Sequence, residues 1–269
     1  MFGNLLTVIA GYFFGSSWII NLRIFLAVLF GSSLIMAGAE VINNILDRKI
    51  DKKMQRTNRR ALVVGDISIK KALYFGVILA LLGFYILSYT NYKVEIMGLI
   101  GFVDYVAFYS FMKRRSIYGT LVGSIAGSVP VVAGYLAFSD KFNLIFLNLF
   151  LIMVVWQMAH FYAIAIYRRQ DYANAKLPLL PLVKGLLQTK IQISFYVGLY
   201  LILNISLYLI AKTGIVYPIV MSLLSLVWIV KVLKGFNIDN ATAWAKDVFK
   251  FSLIIMVAFS IMLSIARIV

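Results

Sequence analysis

Two aspartates four residues apart lie at the end of an apolar stretch and are followed by a dense run of basic residues. If the helix that begins near residue 25 continues through them, Asp47 and Asp51 stack one turn apart, with about 5–6 Å between their β-carbons. Glu40, Asn43 and Asn44 then share a stripe about 100° wide with both aspartates. Such oxygens suit Mg²⁺, which proteins usually hold with one or two carboxylates plus substrate phosphates.

The basic residues that follow carry enough positive charge to hold a diphosphate. The nine residues after Asp51 include five cations: Lys52, Lys53, Arg56, Arg59 and Arg60. The spacing therefore favours metal-assisted chemistry on a diphosphate ester at the mouth of a membrane helix. The plainer alternative is an ordinary basic loop, because cytoplasmic loops beside membrane helices are rich in Lys and Arg.

A second group of residues surrounds His160, the only histidine in the chain. It lies near the end of a later apolar stretch, one turn after Trp156. Ionisable groups at membrane depth are costly and usually mark a site, and imidazole ligates iron or transfers a proton near neutral pH. The alternative is an interfacial histidine beside an aromatic residue.

Other charged residues have two interpretations each. Asp171, on the loop after His160, either supplies a carboxylate to a second metal ion or is a solvated loop residue. The basic turn at residues 113–115 either binds phosphate or is basic only because it lies on the cytoplasmic side of the membrane. Glu40 and Asp104 both fall inside apolar stretches, where each is a metal or cavity group or the partner of a nearby cation.

The composition indicates a polytopic membrane protein. Of 269 residues, 62% are apolar, and they fall in runs of about 18–24, long enough to span a bilayer as helices. The absence of cysteine excludes thiolate metal sites and disulfides. We expect no cleavable signal peptide, because the first four residues are uncharged and run into an apolar segment.

We predict an all-α fold with about nine transmembrane helices in a single domain over residues 1–269. The apolar spans lie near residues 4–20, 24–44, 72–90, 95–112, 120–138, 143–166, 191–211, 215–233 and 251–268. Alternate connections, around residues 45–71, 113–119, 167–190 and 231–250, hold 21 of the 26 basic residues. The positive-inside rule makes these connections cytoplasmic, with the amino terminus inside and the carboxyl terminus outside.

This distribution explains the net charge of +16. Because the cations follow the membrane topology, we predict no binding to nucleic acid. Some of the cations are expected to hold anionic membrane lipid.

A known family shares the aspartate motif. The pattern Asn43-x-x-x-Asp47-x-x-x-Asp51-x-x-Met54-x-Arg56-Thr57-x-x-Arg60 resembles the first aspartate-rich motif of the UbiA superfamily of intramembrane prenyltransferases. The branch of that superfamily that makes haem O is similar at further elements: Tyr109-Ser110 with Lys113-Arg114, Trp156-Gln157-x-x-His160, Asp171-Tyr172, and Pro178-x-Leu180-Pro181. The chain departs from the family at Ala159, where proline is usual, and at Ala175, where quinone-type relatives carry a second aspartate.

The resemblance implies a UbiA-type helical bundle in the cell inner membrane. The implied reaction converts farnesyl diphosphate, haem B and water into haem O and diphosphate. The implied catalytic residues are Asp47, Asp51 and His160, the last either ligating iron or moving a proton. The implied binding residues for Mg²⁺ are Asn43, Asn44, Asp47, Asp51 and Asp171. Those for diphosphate are Arg56, Arg60, Lys113 and Arg114, and those of the haem or substrate pocket are Tyr109, Trp156, Gln157 and His160.

Two alternatives to this function stay open. A prenyltransferase for 4-hydroxybenzoate or another quinone precursor would share the first motif, but the single aspartate of the second loop counts against it. A small-molecule transporter would explain the helices, but not why both acidic motifs and the densest cations share one face. If the haem O reaction holds, haem A synthase or a terminal oxidase assembly is the expected protein partner.

Overall fold

The computed structural model describes residues 2–139 and 141–268, and within these ranges it contains helices and no strand. The described residues form nine apolar helices in chain order: α1 Phe2–Ser16, α2 Leu22–Asp51, α3 Ile69–Leu87, α4 Tyr92–Met112, α5 Gly119–Leu136, α6 Leu144–Tyr167, α7 Gly185–Ala211, α8 Val216–Lys234 and α9 Ala241–Ile265. Short helices occupy the longer connections, at Ala61–Val64, Arg169–Asn174 and Leu180–Val183.

Eight of these helices are long and apolar enough to cross a membrane. The remaining one, α1, has 15 residues. The prediction of an all-α, multi-pass membrane protein is therefore confirmed, and the count of about nine helices holds if the short α1 is included.

The largest error in the predicted boundaries concerns α9, which begins at Ala241 and not near residue 251. The Asn240 side chain caps it by accepting a hydrogen bond from the Ala243 backbone N–H. Its first turns bury Trp244 and Val248 while their polar neighbours face outward. A search for continuous apolar runs misses this part of the helix because it is amphipathic.

The helix α2 continues through the aspartate motif, as the spacing argument requires. It has 30 residues, which is about 45 Å at the usual rise per residue. A bilayer's hydrocarbon core is only about 30 Å thick. The last turns of α2, which carry Asp47 and Asp51, therefore extend past the apolar part of the helix.

Close backbone contacts between helices depend on glycine. A β-carbon on Gly11 of α1 would overlap the carbonyl oxygen of Val131 in α5, and one on Gly134 would overlap the carbonyl of Val8. Small residues allow this approach, which matters in lipid because packing, and not the hydrophobic effect, holds membrane helices together. Together with α6, α5 is the most buried of the spanning helices and forms the centre of the bundle.

Candidate active site

The predicted acidic stripe meets the cations at the end of α4. Asp47 is buried, and its Oδ2 accepts a hydrogen bond from Lys113 Nζ at 2.5 Å. Its Oδ1 accepts from Arg114 Nη2 at 3.1 Å. Lys113 Nζ also donates to Asn43 Oδ1 at 2.7 Å. The structure thus brings four of the predicted site residues into one contact network.

The loop after α2 folds back over the motif. Arg60 Nη1 lies 2.7 Å from Asp51 Oδ2 and 2.7 Å from Asn44 Oδ1. The buried Thr57 donates its hydroxyl to the Asp51 carbonyl oxygen at 3.1 Å. Cations predicted to bind diphosphate therefore contact the carboxylates predicted to bind metal.

Lys113 is a buried cation at the centre of this network. Burial lowers its pKa because the charged form loses solvation, while the neighbouring Asp47 carboxylate acts in the opposite direction. Its ammonium also lies 4.6 Å from the centre of the Tyr109 ring. A second anion beside Lys113 would further favour its charged form.

The connection between α6 and α7 lies against the connection between α2 and α3. Asp171 Oδ1 accepts a hydrogen bond from the Gln55 backbone N–H at 3.2 Å. Next to it, burial raises the pKa of the Tyr172 phenol, and the exposed Arg56 guanidinium lowers it. Asp171 and Arg56 therefore flank the motif, without the direct contacts that join Asp47 to Lys113.

A cavity of about 350 Å³ lies beside the motif and is lined by residues of α1, α2, α4, α5 and α6. Ligand pockets in proteins typically begin near this size. Ser32, Met36 and Glu40 line the cavity from α2 and, at helical spacing, continue the stripe of Asn43 and Asp47. Much of the rest is small or apolar: Ile35, Ala39, Gly98, Gly101, Phe102, Gly123, Ala126, Gly127, Val129 and Pro130. A charged mouth that leads into an apolar cavity suits a substrate with an anionic head and a hydrocarbon tail.

A π-helical segment in α4, Asp104–Tyr109, shapes the wall of this cavity. Such segments are rare and are frequent at functional sites. Tyr105 lines the cavity, and its ring stacks on that of Tyr109 at 5.5 Å between centroids. The Asp104 carboxylate accepts a hydrogen bond from the Ala126 backbone N–H at 3.2 Å, which joins α4 to α5.

His160 and Trp156 lie on a different side of α6 from the cavity. Their rings stack at 4.7 Å between centroids, and both are buried against α9. His160 Nδ1 is 2.6 Å from Ser252 Oγ, and Trp156 Nε1 donates to the Ser252 carbonyl at 2.9 Å. Their proposed contact with haem stays a prediction.

Within the motif Trp156-Gln157-x-x-His160, Gln157 is the residue that faces the cavity. Its Nε2 donates to Ser128 Oγ at 3.1 Å and to the Ser124 carbonyl at 3.3 Å, so α6 holds α5 at the cavity wall. The sequence pattern grouped Gln157 with Trp156 and His160. The structure separates them because neighbouring positions on a helix point about 100° apart.

The end of α2 carries carboxylate and amide oxygens, which are donor types that Mg²⁺ accepts. Within the described residues there is no cluster of three His, Cys, Asp or Glu side chains that could hold a metal ion. The carboxylates of Asp47 and Asp51 instead contact the cationic groups of Lys113 and Arg60, which shows that both carboxylates favour positive charge. Proteins usually hold Mg²⁺ with one or two carboxylates, while phosphate and water complete its coordination shell.

Known proteins similar to this chain belong to one family. The model of the UbiA prenyltransferase family matches residues 4–254. A protein from Pseudomonas syringae pv. tomato named Protoheme IX farnesyltransferase is 41% identical over 98% of this chain and 90% of its own length. A protein of the same name from Protochlamydia amoebophila is 42% identical over 96% of this chain and 92% of its own length.

Solved structures share the fold at low sequence identity. A digeranylgeranylglyceryl phosphate synthase superposes with a TM-score of 0.83 at 22% identity, covering 98% of this chain and 93% of its own. A UbiA homolog from Archaeoglobus fulgidus bound to GPP and Mg²⁺ superposes with a TM-score of 0.75 at 17% identity, covering 97% and 94% of the two chains. By sequence and by fold, this chain belongs to the UbiA prenyltransferase family.

Proposed function

We propose that this chain transfers the farnesyl group of farnesyl diphosphate to a vinyl group of haem B, with addition of water, to give haem O and diphosphate. The observation that carries this proposal is the 41% identity, over 98% of this chain, to a protein named Protoheme IX farnesyltransferase. Family membership favours prenyl transfer over the transporter alternative.

The diphosphate head binds at the end of α2 and α4. As the bond between farnesyl and diphosphate breaks, negative charge builds up on the leaving group, and fixed cations stabilise it. Lys113, Arg114 and Arg60 supply this charge from where they now contact the carboxylates, and Arg56 reaches the same region from the loop. When bound by Asp47 and Asp51 with Asn43 and Asn44, Mg²⁺ adds positive charge at the same place.

The hydrocarbon part of the substrate lies in the apolar cavity. Phe102, Tyr105 and Phe161 line it, and the faces of aromatic rings attract a cation such as the allylic intermediate. The apolar walls also limit the access of water, which would otherwise quench this cation before the haem vinyl group attacks it.

The setting of this reaction is the cell inner membrane, with the motif loops and the amino terminus on the cytoplasmic side. This orientation follows from the charge of the connections. The resemblance to the haem O branch implies haem A synthase or a terminal oxidase assembly as the protein partner.

Competition between acceptors in one reaction tests the proposal. Purified protein in lipid receives farnesyl diphosphate and Mg²⁺ together with haem B and 4-hydroxybenzoate, with and without a chelator, and products are resolved by mass. We expect one chelator-sensitive product, haem carrying a single hydroxyethylfarnesyl group. Prenylated 4-hydroxybenzoate with unmodified haem would instead establish the quinone-precursor reaction, and folded protein without either product would contradict prenyl transfer.

A further inference from the structure

The apolar cavity contains one carboxylate. Among the described residues that line it, Glu40 is the only acidic side chain, and none is Lys, Arg or His. The Glu40 side chain is exposed, and Tyr105 of α4 lines the same cavity. Along the axis of α2, Glu40 lies about 4.5 Å from Asn43 and about 10 Å from Asp47, by the usual rise per residue.

The proposed reaction requires a proton acceptor. The carbon–oxygen bond of farnesyl diphosphate breaks and its electron pair leaves with diphosphate. The vinyl electrons then form the new carbon–carbon bond and leave a cation on the carbon next to the porphyrin ring. The oxygen of a water molecule bonds to that carbon, and one water proton must leave. Proton transfer to a positioned side chain contributes typically about 10²–10⁴-fold to such steps.

We infer that Glu40 accepts this proton and so directs the haem-bound cation to the hydroxylated product. This inference rests on the proposed function. It follows from the position of the carboxylate, inside the cavity but one to two helical turns from the motif where diphosphate departs. Tyr105 offers a hydroxyl that can orient the same water.

The histidine and the other aspartates discussed for the site are engaged elsewhere. His160 is turned toward Ser252 and does not line the cavity. Asp47 and Asp51 are ion-paired with cations at the mouth. The buried Asp104 carboxylate is bonded to a backbone N–H of α5.

The ratio of two products tests the inference. Without a base for water, the released diphosphate takes a proton from the neighbouring carbon of the cation instead, which gives a farnesylated haem that is one water lighter. For Glu40→Gln, which keeps the shape of the side chain, we expect the ratio of hydroxylated to dehydrated product to fall at least about 10-fold while diphosphate release persists. Because the ratio is measured only on molecules that turn over, it does not depend on the fraction of folded protein.

The chain's other glutamate provides the control. Glu95 lies in the first turn of α4 and does not line the cavity, so Glu95→Gln should keep the wild-type ratio. An unchanged ratio in Glu40→Gln would overturn the inference, and so would loss of diphosphate release, since the carboxylate would then act before the cation forms. Wild-type protein that makes no haem product would instead refute the proposed function.

Discussion

Among single residues, the ion pair of Asp47 in the site is buried, whereas a pair of similar chemistry elsewhere in the chain is exposed. Asp47 pairs with the buried Lys113, and removing one partner of a buried pair leaves an uncompensated charge. The pair of Lys231 with Asp247 is similar in chemistry, but the Asp247 side chain is 57% exposed. Exposed pairs contribute about 0–1 kcal/mol to stability, and neither Lys231 nor Asp247 belongs to the candidate site.

Replacing Asp47 should therefore abolish activity. In Asp47→Asn we expect turnover of farnesyl diphosphate to fall at least about 100-fold, because one electrostatic contact to a transition state is worth that much or more. Turnover is measured by release of diphosphate, and correct insertion by the yield of folded protein. The matched variant Asp247→Asn should keep wild-type turnover. Full activity in Asp47→Asn would remove this aspartate from the metal and diphosphate site.

At the scale of elements, the cavity depends on how closely α5 and α6 approach. Gly127 of α5 faces the Gln157 side chain, and a β-carbon there would overlap the Gln157 amide. The amide is held by hydrogen bonds to Ser128 and to Ser124. It therefore cannot move aside without losing buried partners, which is costly.

Gly127→Ala should be destabilising for this reason. We expect a loss of about 1–3 kcal/mol, the usual cost of overpacking, measured as the free energy of unfolding in detergent. Gly198 of α7 is the control, because a β-carbon there meets no atom within 4 Å. Gly198→Ala should be neutral or stabilising by up to about 1 kcal/mol. Equal effects of the two substitutions would contradict the described packing.

A second prediction concerns the contact between the two long connections, the one after α2 and the one after α6. Asp171 joins the two long loops by accepting a hydrogen bond from the Gln55 N–H. In Asp171→Asn the amide oxygen can still accept this bond, so thermal stability should stay the same. We expect the Mg²⁺ concentration for half-maximal activity to rise several-fold, because carboxylates bind this cation better than amides do. An unchanged Mg²⁺ dependence would restrict Asp171 to the contact between loops.

At the scale of the whole molecule, the number of helices and the continuation of α2 through the motif could be predicted, because apolar runs and the spacing of Asp47 and Asp51 are local signals. The orientation of α6 could not. Trp156 and Gln157 are neighbours in sequence, and which of them faces the cavity depends on how α5 and α9 pack. The π-helical segment that begins at Asp104 has no periodic signature. The spacing places Glu40 on the stripe of Asn43 and Asp47, but the cavity that Glu40 lines also depends on four other helices.

The distribution of charge predicts how the whole molecule sits in the membrane. Since the chain has no cysteine, single cysteines can report orientation without background. Asn58, after α2, and Lys141, before α6, are both exposed and lie in connections of the two opposite sets. In intact cells, a membrane-impermeant maleimide should label Lys141→Cys and leave Asn58→Cys unlabelled until the membrane is opened. The reverse pattern would invert the topology.

The most direct test of the site locates the hydrocarbon tail of the substrate. A farnesyl diphosphate analogue with a photoreactive diazirine at the far end of its chain is bound with Mg²⁺, illuminated, and its adducts are mapped by mass spectrometry. The structure predicts adducts in the cavity, on peptides that contain residues 32–40 or 98–105, and their loss when unlabelled farnesyl diphosphate competes. Competed adducts at the separate cavity beside Tyr167 and Leu182, with none on α2 or α4, would contradict this account.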